Sequence, residues 1–262
     1  MSDLLIENRG GVRILTMSRP DKRNALNMAL SEALLEGLRA AEREDSVRSI
    51  VLTGAGPAFC AGADLSEFKD LTPDNAALVE RRSALTMDLH RVFSQLSKPV
   101  VTAINGAAMG GGAGLALAGD VAIMSETATL GYPEVKHGIV AAVVMANLVR
   151  NVGRKAAFEL VATGEPVDAT QALALGLINR VAAPDLLMED ALAMAQKFAA
   201  VDRPAMAATK QLFYRVLDLP FDAALEEGRD VNKRMRAFGP PPSSSPAQRV
   251  ADARKRADAG GG

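Results

Sequence analysis

The chain has 262 residues, 48% of them hydrophobic and 23% charged, and 30 Lys and Arg against 31 Asp and Glu give a net charge of −1. That balance fits one enzyme-sized domain and excludes a dedicated nucleic-acid surface, which needs a basic excess to displace counterions. One cysteine and two histidines exclude an intrachain disulfide and an ordinary structural zinc site, and with 4% aromatic residues the core must be aliphatic.

Leu4–Ile6 and Val12–Met17 flank Arg9-Gly10-Gly11 and read as a hairpin. Beyond Pro20 and a polar loop over Asp21–Asn24, Met28–Glu44 sets Leu30, Leu34, Leu35, Leu38 and Ala41 on one helical face. Ser49–Thr53 is a predicted strand, Asn75–Leu96 a helix stopped by Lys98-Pro99, Val100–Ile104 a buried strand, and Val121–Met124 another. A helix ending near Ala118 follows the glycine-rich stretch 106–114. Alternating strands and crossover helices give an α/β core. From Gly138 the pattern is helical: Ile139–Asn151, Arg154–Ala162, Ala169–Leu175, Leu186–Ala199, Pro204–Val216 and Phe221–Arg236. A core over 1–195, a helical region over 196–238 and a disordered Pro/Ser-rich tail over 239–262 are expected. Residues 1–8 lack the basic start of a signal peptide, and the uncharged run Val100–Gly119 is broken by Asn105 and glycines. A soluble, cytoplasmic protein without a membrane partner is therefore expected.

Three segments are candidates for chemistry. In Ala58–Leu65, small residues at Ala61, Gly62 and Ala63 allow close approach to the backbone, and Asp64 fits a local cap. In Asn105–Gly114, three adjacent glycines at a strand-to-helix junction expose N–H groups at the positive end of a helix dipole, a place for negative charge. Neither a dinucleotide fingerprint nor a P-loop fits this run. In Leu130–Gly138, Glu134 lies between apolar elements, where it reads equally as a raised-pKa acid/base or as a helix cap. His137 reads as a solvated loop residue and His90 as a surface one. Cys60 lacks a histidine placed to activate it.

In this order these segments resemble the crotonase, or enoyl-CoA hydratase/isomerase, family. Arg19-Pro20 through Asn27, Ala58–Leu65, Lys98–Asp120, Gly131–Gly138, Gly153–Gly164 and Ala172–Val181 carry the likeness. The resemblance implies a spiral of ββα units with a C-terminal helical trimerisation region, and a homotrimer or hexamer. It also implies an acyl-CoA thioester substrate with no separate cofactor and no metal. The N–H groups of Ala63 and Gly111 would hold the thioester oxygen and Glu134 would move the proton. Lys22, Arg23 and Ala25 would approach the pantetheine or phosphates, and Ala61 and Leu65 the adenine side. Asp64, Gly110 and Gly114 complete the expected substrate contacts.

The well-known hydratases of the family carry a second glutamate where this chain has Gly114. Family frequency therefore favours hydration of a 2-enoyl-CoA, with water held by backbone groups near Gly114. The single carboxylate favours 3-enoyl to 2-enoyl isomerisation, and a non-catalytic acyl-CoA-binding protein is a third reading. Residues 140–145 and 71–85 are expected to shape an aliphatic acyl pocket.

Overall fold

The computed structural model describes residues 2–237, the last by its backbone only, and the tail expected over 239–262 lies outside the described residues. The N-terminal hairpin forms from β1 (Leu4–Arg9) and β2 (Val12–Met17). Helix α1 (Met28–Arg43) follows, its start capped by the Asn27 side chain, which accepts from Leu30 N at 2.8 Å. Then come β3 (Ser49–Gly54), β4 (Ala58–Cys60), α2 (Ala76–Gln95), β5 (Val100–Ile104), β6 (Ala107–Met109) and α3 (Gly111–Ala118). Strands β7 (Val121–Ser125) and β8 (Thr129–Gly131) lead to α4 (Ala142–Asn151) and α5 (Arg154–Thr163). The chain continues through β9 (Val167–Asp168), α6 (Ala169–Ala174), β10 (Arg180–Ala182), α7 (Leu187–Ala199), α8 (Arg203–Val216) and α9 (Phe221–Ala237).

The six-stranded sheet runs β1-β2-β3-β5-β7-β10, parallel except for the hairpin, and a four-stranded sheet runs β4-β6-β8-β9. Three successive turns of chain therefore place one strand in each sheet and then a helix: β3-β4-α2, β5-β6-α3 and β7-β8-α4. This is the expected α/β spiral of ββα units. The run Val100–Gly119 is strand, strand and helix, and no helix among the described residues is long and apolar enough to cross a membrane.

The central strands are apolar on both faces because both faces are covered. Alternate residues Val51, Val101, Ala103 and Ile123 pack on Leu187, Ala191 and Ala195 of α7. Their neighbours Ile50, Leu52, Val100 and Ile104 join the leucines of α1 and the buried side of α2 and α3. The core is aliphatic, as the composition requires.

Several elements differ from the sequence-based expectation. The chain beyond Gly138 is not wholly helical: β9 pairs with β8 and β10 with β7, two short strands without an alternating pattern to announce them. Strand β6 lies inside the stretch expected to be a glycine-rich loop. Helix α4 begins at Ala142 rather than Ile139, because Pro133–His137 forms a separate 3₁₀ turn that Gly138 closes in a left-handed conformation. By compactness the chain divides into two units, Met1–Lys210 and Gln211 onward. Within the first, Lys210 Nζ donates to Asp120 Oδ2 at 2.7 Å and to the Lys98 carbonyl at 2.9 Å. The second unit is helical and exposes Phe213, Leu217, Phe221 and Leu225.

Candidate active site

The site grows from the β4–α2 and β6–α3 connections, neighbouring turns of the spiral. After β4, Ala63 forms an isolated parallel bridge with Leu26, in which Leu26 N donates to Gly62 O at 2.7 Å and Asp64 N to Leu26 O at 3.0 Å. Those bonds use the groups on either side of Ala63 and leave its own N–H without an acceptor among the described residues. Gly111 is the first residue of α3, so its N–H has no intrahelical acceptor either. The two backbones are adjacent: a Cβ on Gly111 would lie 3.9 Å from Ala63 N and 3.8 Å from Gly62 Cα. Two unpaired N–H groups side by side, one at a helix N-terminus, can hold a developing oxygen anion.

Glu134 approaches from the 3₁₀ turn after β8. Its carboxylate packs on the Cα of Gly110, where a Cβ would stand 2.7 Å from Oε1, and its buried Oε2 has no hydrogen-bond partner. Gly110 adopts φ 52° and ψ −117°, a backbone region closed to other residues. Burial pushes the Glu134 pKa above the ordinary glutamate value, while its own N–H and the His137 imidazole pull the other way. The carboxylate caps no helix, since α4 starts eight residues further on. A half-buried carboxylate against the residue that precedes Gly111 can exchange a proton.

Two buried polar residues, Asn24 and Asp64, fix the Lys22–Ala25 loop. Asn24 is fully buried at φ 56°, accepting from Arg19 N at 2.9 Å and donating Nδ2 to Ala55 O at 2.9 Å and Ala58 O at 2.8 Å. Arg19 donates to the Ala25 carbonyl and, at 2.9 Å, to Asp64 Oδ2. Asp64 Oδ1 receives Ser66 Oγ at 2.7 Å and Ser66 N at 3.1 Å. With both oxygens hydrogen-bonded in a buried side chain, Asp64 is the local cap considered from sequence. Ala61 N donates to the Arg23 carbonyl at 2.9 Å, so the Lys22–Ala25 loop runs beside Ala61. Lys22 and Arg23 are exposed there, as is Leu65 on the far side, while Ala25 is buried.

Gly114 is buried, and Val144 Cγ1 and His90 Nε2 occupy the space that any side chain there would need, the latter 2.7 Å from a Cβ. His90 is therefore interior, 7% exposed, and not a surface residue. The helical spacing of Arg82, Thr86, Leu89, His90 and Phe93 placed it on the inward face of α2, a signal available in the sequence. Tyr132, whose hydroxyl is also buried and unpartnered, was likewise not singled out. Of the apolar segment 140–145, Val144 is buried against Gly114 and Val140 is 71% exposed. Cys60 is fully buried behind Gly112, and desolvation pushes its thiol up to about 12.

Fold and site together present two backbone N–H groups without acceptors among the described residues and a half-buried carboxylate against Gly110, an arrangement that can stabilise an anion and exchange a proton. The sequence model described as enoyl-CoA hydratase/isomerase matches residues 7–239. A Thermus thermophilus protein provisionally named enoyl-CoA hydratase is 45% identical over 221 residues, 84% of this chain and 85% of its own length. The crystal structure of an enoyl-CoA hydratase from Mycobacterium smegmatis superposes with a TM-score of 0.86 at 35% identity, covering 92% of each chain. That of a monofunctional enoyl-CoA isomerase from M. smegmatis gives 0.74 at 30% identity, over 86% of this chain and 99% of the other. The chain belongs to the enoyl-CoA hydratase/isomerase family and has the crotonase fold.

Proposed function

We propose that the protein adds water reversibly to a 2-enoyl-CoA. The observation that carries the reading is the half-buried Glu134 carboxylate against Gly110, beside the unpaired N–H groups of Ala63 and Gly111. The thioester oxygen accepts from both N–H groups, and water attacks C3 as Glu134 takes one of its protons. The resulting enolate is then protonated at C2 by Glu134. Each backbone donor is worth a few kcal/mol to the transition state, about 3 kcal/mol in comparable oxyanion holes. Coenzyme A enters only as part of the substrate, its phosphates meeting Lys22 and Arg23 and its adenine the Ala61–Leu65 side; no metal or other cofactor is used. The closer likeness to a hydratase than to an isomerase, 0.86 against 0.74 in TM-score, supports hydration. The exposed Phe213, Leu217, Phe221 and Leu225 support self-association into a trimer or a dimer of trimers.

Isomerisation of a 3-enoyl-CoA is the second reading, favoured by one specific feature: position 114 has no acid and no room for one. Mixing the enzyme with crotonyl-CoA separates the two. Hydration bleaches the conjugated-enoyl absorbance; an isomerase leaves it standing and creates it from a 3-enoyl thioester. A band that persists with short and medium 2-enoyl chains alike rejects the hydratase.

A further inference from the structure

The Leu26–Ala63 bridge stands outside both sheets, so no further strand steadies it. Its two hydrogen bonds grip the peptides on either side of Ala63: Leu26 N donates to Gly62 O at 2.7 Å, and Leu26 O accepts from Asp64 N at 3.0 Å. No peptide among the described residues is cis, and in a trans peptide the N–H points opposite to the C=O. With the Gly62 carbonyl turned to Leu26, the Ala63 N–H is aimed away from Leu26. The Leu26 side chain reaches the second donor: Cδ1 lies 3.3 Å from the point where a Cβ on Gly111 would stand. Leu26 therefore touches both halves of the donor pair and fixes the direction of one.

Two charged side chains hold Leu26 in turn. Arg82, on α2, is buried, and its Nη2 donates to the Leu26 carbonyl at 2.5 Å. Its Nη1 donates at 2.8 Å to Oε2 of Glu67, which lies in the 3₁₀ segment Leu65–Asp70 that follows Ala63. Glu67 Oε1 accepts at 3.0 Å from the N–H of Met28, the first residue of α1. These bonds close a ring through Leu26, Met28, Glu67 and Arg82. Burying a guanidinium is costly, and an aliphatic contact would hold α2 against α1 without that cost. What the charged pair adds is direction, because charge-assisted hydrogen bonds are short, strong and fixed in geometry.

We propose that Arg82 and Glu67 are positioning residues for the thioester oxygen: by holding the Leu26 bridge they aim the Ala63 N–H. The inference rests on the reading of Ala63 and Gly111 as the two donors to that oxygen. Neither Arg82 nor Glu67 is asked to touch the substrate or to move a proton. The oxygen gains negative charge as the enolate forms, so a donor turned off its line costs the transition state more than the bound thioester. Loss of the pair therefore appears in kcat and in the polarisation of the thioester carbonyl, and far less in binding. Arg19 still holds the Ala25 carbonyl, so the loop stays attached and its aim is what changes. The consequence is the same for hydration and for isomerisation, since both pass through the enolate.

Infrared difference spectra of bound butyryl-CoA, labelled with ¹³C at the thioester carbonyl, read that polarisation directly, and the saturated chain cannot be hydrated. In the unaltered enzyme the carbonyl stretch lies below its value in free solution. Arg82→Met gives back about half of that displacement or more, and kcat on the enoyl-CoA substrate falls about tenfold or more, with Kd for butyryl-CoA within about threefold. Glu67→Gln is the milder variant. Both Glu67 oxygens face donors, whereas an amide has one acceptor oxygen, so one link of the ring becomes donor against donor with the shape kept. It moves the carbonyl stretch the same way by a smaller amount, and it decides the matter if Arg82→Met does not fold. A stretch that stays at the parental value in the folded variants overturns the proposal even where Tm and activity fall, because that is a purely structural role. If the unaltered enzyme leaves the stretch at its free-solution value, the reading of Ala63 and Gly111 falls and the proposal with it, a result distinct from any variant's.

Discussion

The Glu134 carboxylate rests on the bare Cα of Gly110: a methyl group there would stand 2.7 Å from Oε1. Gly110 thus sets both the turn into α3 and the position of the Glu134 carboxylate. Gly110→Ala meets two penalties, a carboxylate that must shift to clear the new methyl group and a disfavoured φ worth about 1–3 kcal/mol. We expect kcat to fall at least about a hundredfold with circular dichroism unchanged and Tm lowered. Enoyl-CoA kinetics with a melting curve checks both.

Glu134→Gln removes the acid/base group and its charge while keeping the shape. Activity should drop by about 10²–10⁴-fold, with acyl-CoA binding retained in calorimetry. The pKa of Glu134 is raised in the folded state by burial. A raised carboxyl pKa means that the folded state binds this proton more tightly than the unfolded state. The associated stability is full below the ordinary glutamate value and is lost as pH rises through the folded-state pKa. The Gln variant should therefore melt higher than the parent at neutral pH, with the gap narrowing on acidification. As a base, Glu134 must be ionised, so kcat/KM of the parent should fall as pH drops through a value above 4.5.

Asn24 joins the Lys22–Ala25 loop to the β3–β4 connection by two hydrogen bonds, from Nδ2 to the Ala55 and Ala58 carbonyls, accepts a third from Arg19 N, and holds φ 56°, a conformation asparagine tolerates better than most residues. Asn24→Ala should cost about 2–4 kcal/mol in denaturant unfolding, since it strands several buried partners. KM for the CoA thioester should rise as well, because the same loop carries Lys22 and Arg23.

Lys210 lies 5% exposed, bonded to Asp120 and the Lys98 carbonyl, and Asp120 Oδ2 also accepts from Val100 N at 2.6 Å. Removing the cation leaves a carboxylate at the start of β5 without its countercharge. Lys210→Met is expected to lose about 3 kcal/mol, and adding Asp120→Asn to recover part of it. A double-mutant cycle by chemical denaturation measures the coupling.

Cys60 is fully buried and its thiol is pushed up to about 12 by desolvation. At pH 8 it should not react with a disulfide reagent in the folded enzyme and should react stoichiometrically in denaturant. Fast labelling without denaturant would show that the β4 region opens.

The sequence carried the long elements because their physics is local. Leu30, Leu34, Leu35 and Leu38 mark α1 by spacing alone, and the all-buried Val100–Ile104 marks a central strand. The second sheet was hidden because β4, β6, β8 and β9 are two or three residues long, below the length at which alternation can be read. Glu134 and the glycine run were legible as chemistry because a charge between apolar elements and three adjacent glycines are locally unusual. The burial of His90 was less legible, since the residue it packs on is Gly114, 24 residues away in a different helix. Asp64 illustrates the opposite case: a neighbour of the site by position, it is spoken for by Arg19, 45 residues earlier.

The unpaired donors of Ala63 and Gly111 belong to the main chain, so a conventional side-chain scan passes over them. Replacing either residue with a small alternative leaves the N–H in place, and a map of activity against substitution would register Glu134 while showing these two positions as constraints on volume. Their electrostatic share can be read only by editing the backbone itself, with an amide-to-ester exchange at residue 63 or 111 that deletes one hydrogen and almost nothing else.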